Sequence, residues 1–178
     1  MQNVDLTINS ELARKILTSF ISAEIRRTGI KHAVVALSGG LDSALSCYLA
    51  AEALGPENVL AVVMPYRSSS PDSIKDAQKV IDATGIQSLT FEITPMVEPL
   101  FERFPDMNRV RKGNVMARAR MIVLFDQSAS FNGLVVGTSN KTEILLGYTT
   151  LYGDSACALN PLGDLYKTQL RQFARDLG

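Results

Sequence analysis

The chain has 178 residues, with 18 Lys and Arg against 18 Asp and Glu, so its formal charge is zero, and 46% of its residues are hydrophobic. This is ordinary globular usage over a length suited to one domain with its own core, which excludes intrinsic disorder and argues against a general nucleic-acid binder. No apolar run reaches the roughly 18 residues a membrane span needs. The N-terminus lacks a signal-peptide pattern, Cys47 and Cys157 form no CxxC, and a single histidine, His32, rules out multi-His metal sites.

Helical and strand periods then alternate along the chain. Residues 10–28 read as an amphipathic helix capped by Ser10, with Leu12, Ile16, Phe20 and Ile25 on one face and Gly29 as the stop. Ala33 to Leu37 is a continuous apolar run, as in a strand buried on both faces. A helix from about Ser43 to Leu54 ends at Gly55-Pro56, and Asn58 to Met64 is a second buried strand. Ser70-Pro71 opens a helix that Gly85 closes. Leu89 to Ile93 is a weaker strand, followed by a short helix from Thr94-Pro95 to near Phe104. A helix from about Asn114 to Ser128 leads into the strand Leu134 to Gly137, and a last helix begins near Lys167. The alternation predicts an α/β fold: a Rossmann-like parallel sheet with helices on both faces. Residues 139–166 hold much loop and the last helix stops at Leu177-Gly178, so 1–178 is expected to be one domain, C-terminally incomplete.

The most informative string is Ser38-Gly39-Gly40-Leu41-Asp42-Ser43, at the carboxyl end of the first buried strand, where parallel sheets bind ligands. Two glycines let backbone N–H groups approach an anion, and the helix start adds unpaired donors and partial positive charge. Ser38 and Ser43 offer hydroxyls. Asp42 beside phosphate calls for a bridging divalent cation, Mg²⁺. The plain alternative is a Gly-rich turn whose Asp and Ser cap a helix. No Gly-Lys-Ser/Thr and no GxGxxG occurs, so neither a Walker loop nor a redox Rossmann site is indicated.

SGGxDS at a strand-to-helix turn resembles the loop of the ATP-pyrophosphatase superfamily, of adenine nucleotide alpha hydrolase-like fold. Such proteins cleave ATP between the α and β phosphates and adenylate an oxygen that a nitrogen or sulfur nucleophile then displaces.

Downstream, the segment from Glu102 to Arg120 carries six Lys and Arg against two acidic residues and includes Lys112-Gly113-Asn114-Val115-Met116-Ala117-Arg118-Ala119-Arg120. A solvated helix face is the ordinary account, and a second anionic substrate the functional one. Gly137-Thr138-Ser139-Asn140-Lys141-Thr142-Glu143 follows the next strand at the same sheet edge. Glu143 there is either a first-turn carboxylate or a second oxygen ligand for Mg²⁺. Lys167 at a helix start opposes the dipole unless it faces the triphosphate.

Together, SGGLDS, KGNVMARAR, GTSNKTE, GYTTLYGD and NPLGDLYKTQ resemble the NAD synthetase family over roughly 35–178. The resemblance implies ATP-dependent amidation of deamido-NAD by ammonia through an adenylated carboxylate, releasing AMP and pyrophosphate. It implies that Ala36, Leu37, Ser38, Gly39, Gly40, Leu41, Asp42 and Ser43 bind ATP, with Met64 at the adenine and Thr138 and Lys167 also on the nucleotide. Asp42 and Lys167 are the implied catalytic residues, Asp42 and Glu143 the implied Mg²⁺ ligands, and Arg118 the implied contact to deamido-NAD. Leu151 and Ala158 stand where many members carry a deamido-NAD-contacting lysine and aspartate. The resemblance further implies a homodimer with ATP and Mg²⁺ as cofactors. The neutral composition and the lack of a span or signal pattern point to a cytoplasmic chain with no nucleic-acid or membrane partner. No glutaminase segment is visible, so free ammonia or a separate glutaminase is expected as nitrogen source. Two alternatives stay open: a catalytically impaired ATP-binding module, and another ATP-pyrophosphatase of GMP synthetase or tRNA-thiolase type.

Overall fold

The computed structural model describes residues 5–177. In chain order the elements are α1 Ser10–Arg27, β1 His32–Ala36, α2 Leu41–Leu54, β2 Val59–Val63, α3 Pro71–Thr84, β3 Gln87–Thr90, α4 Thr94–Arg103, α5 Arg109–Ser130, β4 Gly133–Val136, α6 Lys141–Leu146 and α7 Lys167–Leu177. The strands form one parallel sheet in the order β3-β2-β1-β4. Winding therefore runs outward from β1 to β3 and then jumps back to the other side of β1. That jump opens the loops after β1 and β4 away from each other, the crevice in which open α/β sheets bind ligands.

Alternate strand residues point to opposite faces, and each face is covered. Ala33, Val35, Ala61 and Val63 pack against Ile21 and Ile25 of α1, Leu45 and Leu49 of α2, Ala77 and Val80 of α3, and Leu170 and Phe173 of α7. Val34, Leu60, Val62 and Val135 meet Val123 and Leu124 of α5 on the other side. Every residue of β2 is buried, as its apolar run requires.

Several boundaries differ from the sequence reading. Asn9, not Ser10, caps α1, its side chain accepting from the Leu12 N–H. Of the face read for α1 only Ile25 is fully buried; Leu12 and Ile16 are 54% and 57% exposed, Phe20 is exposed too, and Ile21 is buried beside Ile25 instead. Strand β3 starts two residues before Leu89 and ends at Thr90, and its edge position leaves most of it exposed. Helix α5 begins at Arg109 rather than Asn114, because Asn108 caps it through the Arg111 N–H. His32 opens β1, with Nδ1 3.1 Å from the Phe131 carbonyl at the amino end of the sheet. Ser70 and Gly85 bound α3 as expected, Gly85 in the left-handed conformation. The expected stop at Gly178 lies outside the described residues.

Candidate active site

After β1 the Leu37 N–H still bonds to the Val62 carbonyl at 3.0 Å, and the chain then turns. Gly39 adopts φ +81°, and a Cβ there would lie 2.1 Å from the Ser73 carbonyl oxygen of α3. Backbone and neighbour both demand glycine. The turn is knit by its serines. Ser43 Oγ donates to the Gly40 carbonyl at 2.9 Å, so in the 3.0 Å Ser38–Ser43 hydroxyl pair the proton comes from Ser38. Ser38 Oγ in turn accepts from the Gly40 N–H at 3.2 Å. Both hydroxyl protons are thus engaged inside the turn, and the donors left for an anion are those of the backbone. Gly40 caps α2 without a side-chain acceptor, whereas Asn9, Ser70, Asn108 and Asn140 cap α1, α3, α5 and α6 with theirs. Free first-turn N–H groups and the positive end of the helix dipole make this end of α2 ready for a phosphate.

Asp42, in that first turn, is 12% exposed and has two partners. Its Oδ1 accepts from Lys167 Nζ at 2.5 Å and its Oδ2 from Asn140 Nδ2 at 2.8 Å. Lys167 reaches it because Leu170 and Phe173 anchor α7 in the core and the Lys167 N–H bonds to Thr142 Oγ1 at 3.1 Å. Asn140 also forms a reciprocal cap with Glu143: its Oδ1 accepts from the Glu143 N–H, and Glu143 Oε2 accepts from the Asn140 N–H, both at 3.1 Å. One buried asparagine therefore orients both carboxylates proposed for Mg²⁺. The sequence reading assigned it no role, although Asn-x-x-Glu after a strand is a capping-box pattern. Asp42 and Glu143 line one cavity of about 180 Å³ with Ser38, Thr138, Asp154 and Lys167. Mg²⁺ commonly takes one or two protein carboxylates plus substrate phosphate oxygens. Each carboxylate retains unused lone pairs, so the donor set fits.

Two further cavities meet this one at Ser38. One, about 290 Å³, lies between Ala36, Leu37, Met64, Pro65, Ser73 and Ile74; the other, about 310 Å³, lies between α5 and the loops after β4, reaching Thr138, Thr150 and Asp154. Ala36, Leu37, Ser38 and Met64 thus share one pocket, while Thr138 joins the other two. Ser69, Ser70 and Ser73 also line the first cavity, which no motif indicated.

The residues read for the second substrate are arranged differently. Arg118 Nε donates to the Leu151 carbonyl at 3.2 Å, and Thr150 Oγ1 to Asn114 Oδ1 at 2.9 Å, so α5 holds the Gly147–Asp154 loop by two bonds. Ala158 stands apart beside β4, its N–H on the Val135 carbonyl at 2.9 Å. None of Arg118, Leu151 and Ala158 lines the three cavities that meet at Ser38.

A parallel α/β sheet that presents an SGGxDS turn and its Asp–Lys pair at the switch point belongs to the ATP-pyrophosphatase class. Within that class the chain belongs to the NAD synthase family, whose model matches residues 13–178. It is 60% identical over 173 residues to an NH(3)-dependent NAD(+) synthetase of Trichlorobacter lovleyi, a match covering 97% of this chain and 63% of that protein. Among solved structures, an NH3-dependent NAD synthetase from Campylobacter jejuni in complex with the nitrate ion superposes with TM-score 0.91 at 37% identity, covering 96% of this chain and 74% of that one. A glutamine-dependent NAD+ synthetase from Acinetobacter baumannii in complex with ADP gives 0.89 at 32%, covering 99% of this chain and 34% of that one. The chain spans a little under two thirds of the length of the first curated relatives it matches.

Proposed function

We propose that the chain carries out the synthetase chemistry of its family: ATP-dependent amidation of the carboxylate of deamido-NAD by ammonia. The observation that carries this reading is the meeting of three cavities at Ser38, one lined by Ala36, Leu37, Met64 and Ile74, one charged, and one opening toward α5. Adenosine lies against Ala36, Leu37 and Met64, the phosphates lie over the Gly39–Ser43 turn, and the carboxylate enters beside Thr138. In the first step a carboxylate oxygen forms a bond to the α-phosphorus, and the bond to pyrophosphate breaks with its electron pair leaving on pyrophosphate. In the second, the ammonia lone pair forms the C–N bond, the bond to AMP breaks with its pair on the phosphate, and nitrogen releases a proton to solvent.

The chain's own groups favour these steps by charge and position. Lys167, held at 2.5 Å by Asp42, is the cation that would neutralise charge gained by pyrophosphate. The uncapped N–H groups of α2 bind the phosphates. Asp42 and Glu143 would hold Mg²⁺, which when bound neutralises charge on the leaving group. The exposed face of α5, with Arg118, Ile122 (57% exposed) and Phe125 (41% exposed), supports a homodimer whose partner meets the second substrate there. A cytoplasmic setting suits the two free cysteines, Cys47 and Cys157, since thiols stay reduced there.

The test follows pyrophosphate and NAD together after mixing the chain with Mg²⁺-ATP and ammonium, with and without deamido-NAD. Both products are expected only when deamido-NAD is present, and glutamine is expected not to replace ammonium. ATP binding with neither product would leave a nucleotide-binding module and overturn the synthetase reading.

A further inference from the structure

Helix α5 carries two arginines of opposite character. Arg118 faces outward, whereas Arg120, two residues and about 200° further round the helix, points under the sheet edge and is half-buried. Arg120 Nε donates to the Met64 carbonyl at 2.9 Å. Among the described residues no carboxylate pairs with it, and its other four N–H groups have no acceptor. A guanidinium that gives up water without a counter-charge is costly, and burial lowers its pKa from the ordinary value. The terminal nitrogens are not sealed into the core, because the one fully buried side-chain atom without a partner among the described residues is Asn160 Oδ1. They open instead onto cavity space: Arg120 lines both the cavity between Leu37, Met64 and Ile74 and the cavity beneath α5, which also share Ala36, Ser38 and Met64.

We propose that Arg120 is a catalytic anion ligand, its guanidinium gripping the phosphate that joins adenosine to the carboxylate substrate. The assignment rests on the adenylation reading above and deepens it. That phosphorus is the α-phosphate of ATP, then the phosphoryl of the adenylate, then the phosphate of AMP. It bears anionic oxygen in all three, so one fixed, planar, doubly donating cation serves every stage. In the second step AMP gains charge as the C–O bond breaks, and the guanidinium favours that departure. Its position is set before substrate arrives, since the Met64 carbonyl holds Nε and leaves the outer edge for the ligand.

The test compares adenosine with AMP by equilibrium dialysis in EDTA, so that neither metal nor second substrate is involved, on the wild-type chain, R120Q and R120K. Wild type is expected to hold AMP more tightly than adenosine. R120Q is expected to lose AMP affinity by about tenfold or more while keeping that for adenosine, and R120K to recover part of it. Undiminished AMP binding in R120Q, equal losses for both ligands, or a wild type that holds AMP no better than adenosine would overturn the assignment. Should R120Q fail to fold, R120K decides: it must still prefer AMP, by less than wild type does. NAD formation is a separate readout, so Arg120-dependent AMP binding without any product sustains this assignment while removing the synthetase reading.

Discussion

Gly39 sits at φ +81° with the Ser73 carbonyl occupying the space a Cβ would need, so any side chain there faces two penalties. The left-handed backbone costs an L-residue roughly 1–2 kcal/mol, and a methyl 2.1 Å from that oxygen forces α3 away from the turn. Gly39→Ala is therefore expected to destabilise the fold by more than about 2 kcal/mol in urea titration, and to abolish ATP binding, on the proposed reading, because Ser70 and Ser73, which line the cavity proposed for adenosine, move with α3. A variant that melts like wild type and binds ATP would mean that the turn is not fixed by this contact. The glycines, Asp42 and Glu143 are readable in sequence because their chemistry is local: strand, tight turn, helix start. Asn140 is not, and Arg120 is legible only as one cation of a basic run, without its place in the fold. Their importance comes from partners distant in the chain, Asp42 98 residues away and Met64 56 residues away.

At the scale of elements, punctuation was legible and choice of face was not. Ser70-Pro71 and Gly85 bound α3 because capping and a left-handed stop are properties of a few adjacent residues. Helix α1 shows the converse. It carries two apolar stripes, Leu12-Ile16-Phe20 and Ala13-Leu17-Ile21-Ile25, both at helical spacing, and only docking on α2 and α7 decides between them. Periodicity reports that a stripe exists, not which neighbour it meets. The edge strand β3 was misplaced for a related reason, since its exposed residues carry little apolar pattern. The two stripes of α1 make a direct comparison. Ile21→Ala removes a fully buried side chain and is expected to cost about 2–5 kcal/mol. Ile16→Ala, on the exposed stripe, is expected to change stability by less than about 0.5 kcal/mol. Urea midpoints of the two variants check it; a large loss for Ile16→Ala would return the buried face to the one first read from the sequence.

Across the whole molecule, the sheet divides the core into a layer under α1, α2, α3 and α7 and one under α5, and the three site cavities open at the edge where both layers end. Cys47 lies in the first layer, fully buried on α2, the helix that starts in the Gly39–Ser43 turn. Burial pushes its thiol from an ordinary value near 9 up to about 12. Between those values the unfolded chain has released the proton and the folded chain retains it. Stability therefore falls as pH rises, by about 1.4 kcal/mol per pH unit from this group. Below pH 9 both states are protonated and the contribution is flat. Urea unfolding at pH 7.5, 9 and 10.5 is expected to show this alkaline loss in wild type and a shallower one in Cys47→Ala, whose cavity cost is the same at every pH. Because α2 spans from the core to the Gly39–Ser43 turn proposed for the phosphates, ATP binding should fail over the same alkaline range only as the fold itself does. Identical alkaline slopes in the two chains would show that the thiol ionises without unfolding, and that the layer around Cys47 admits water in the native state.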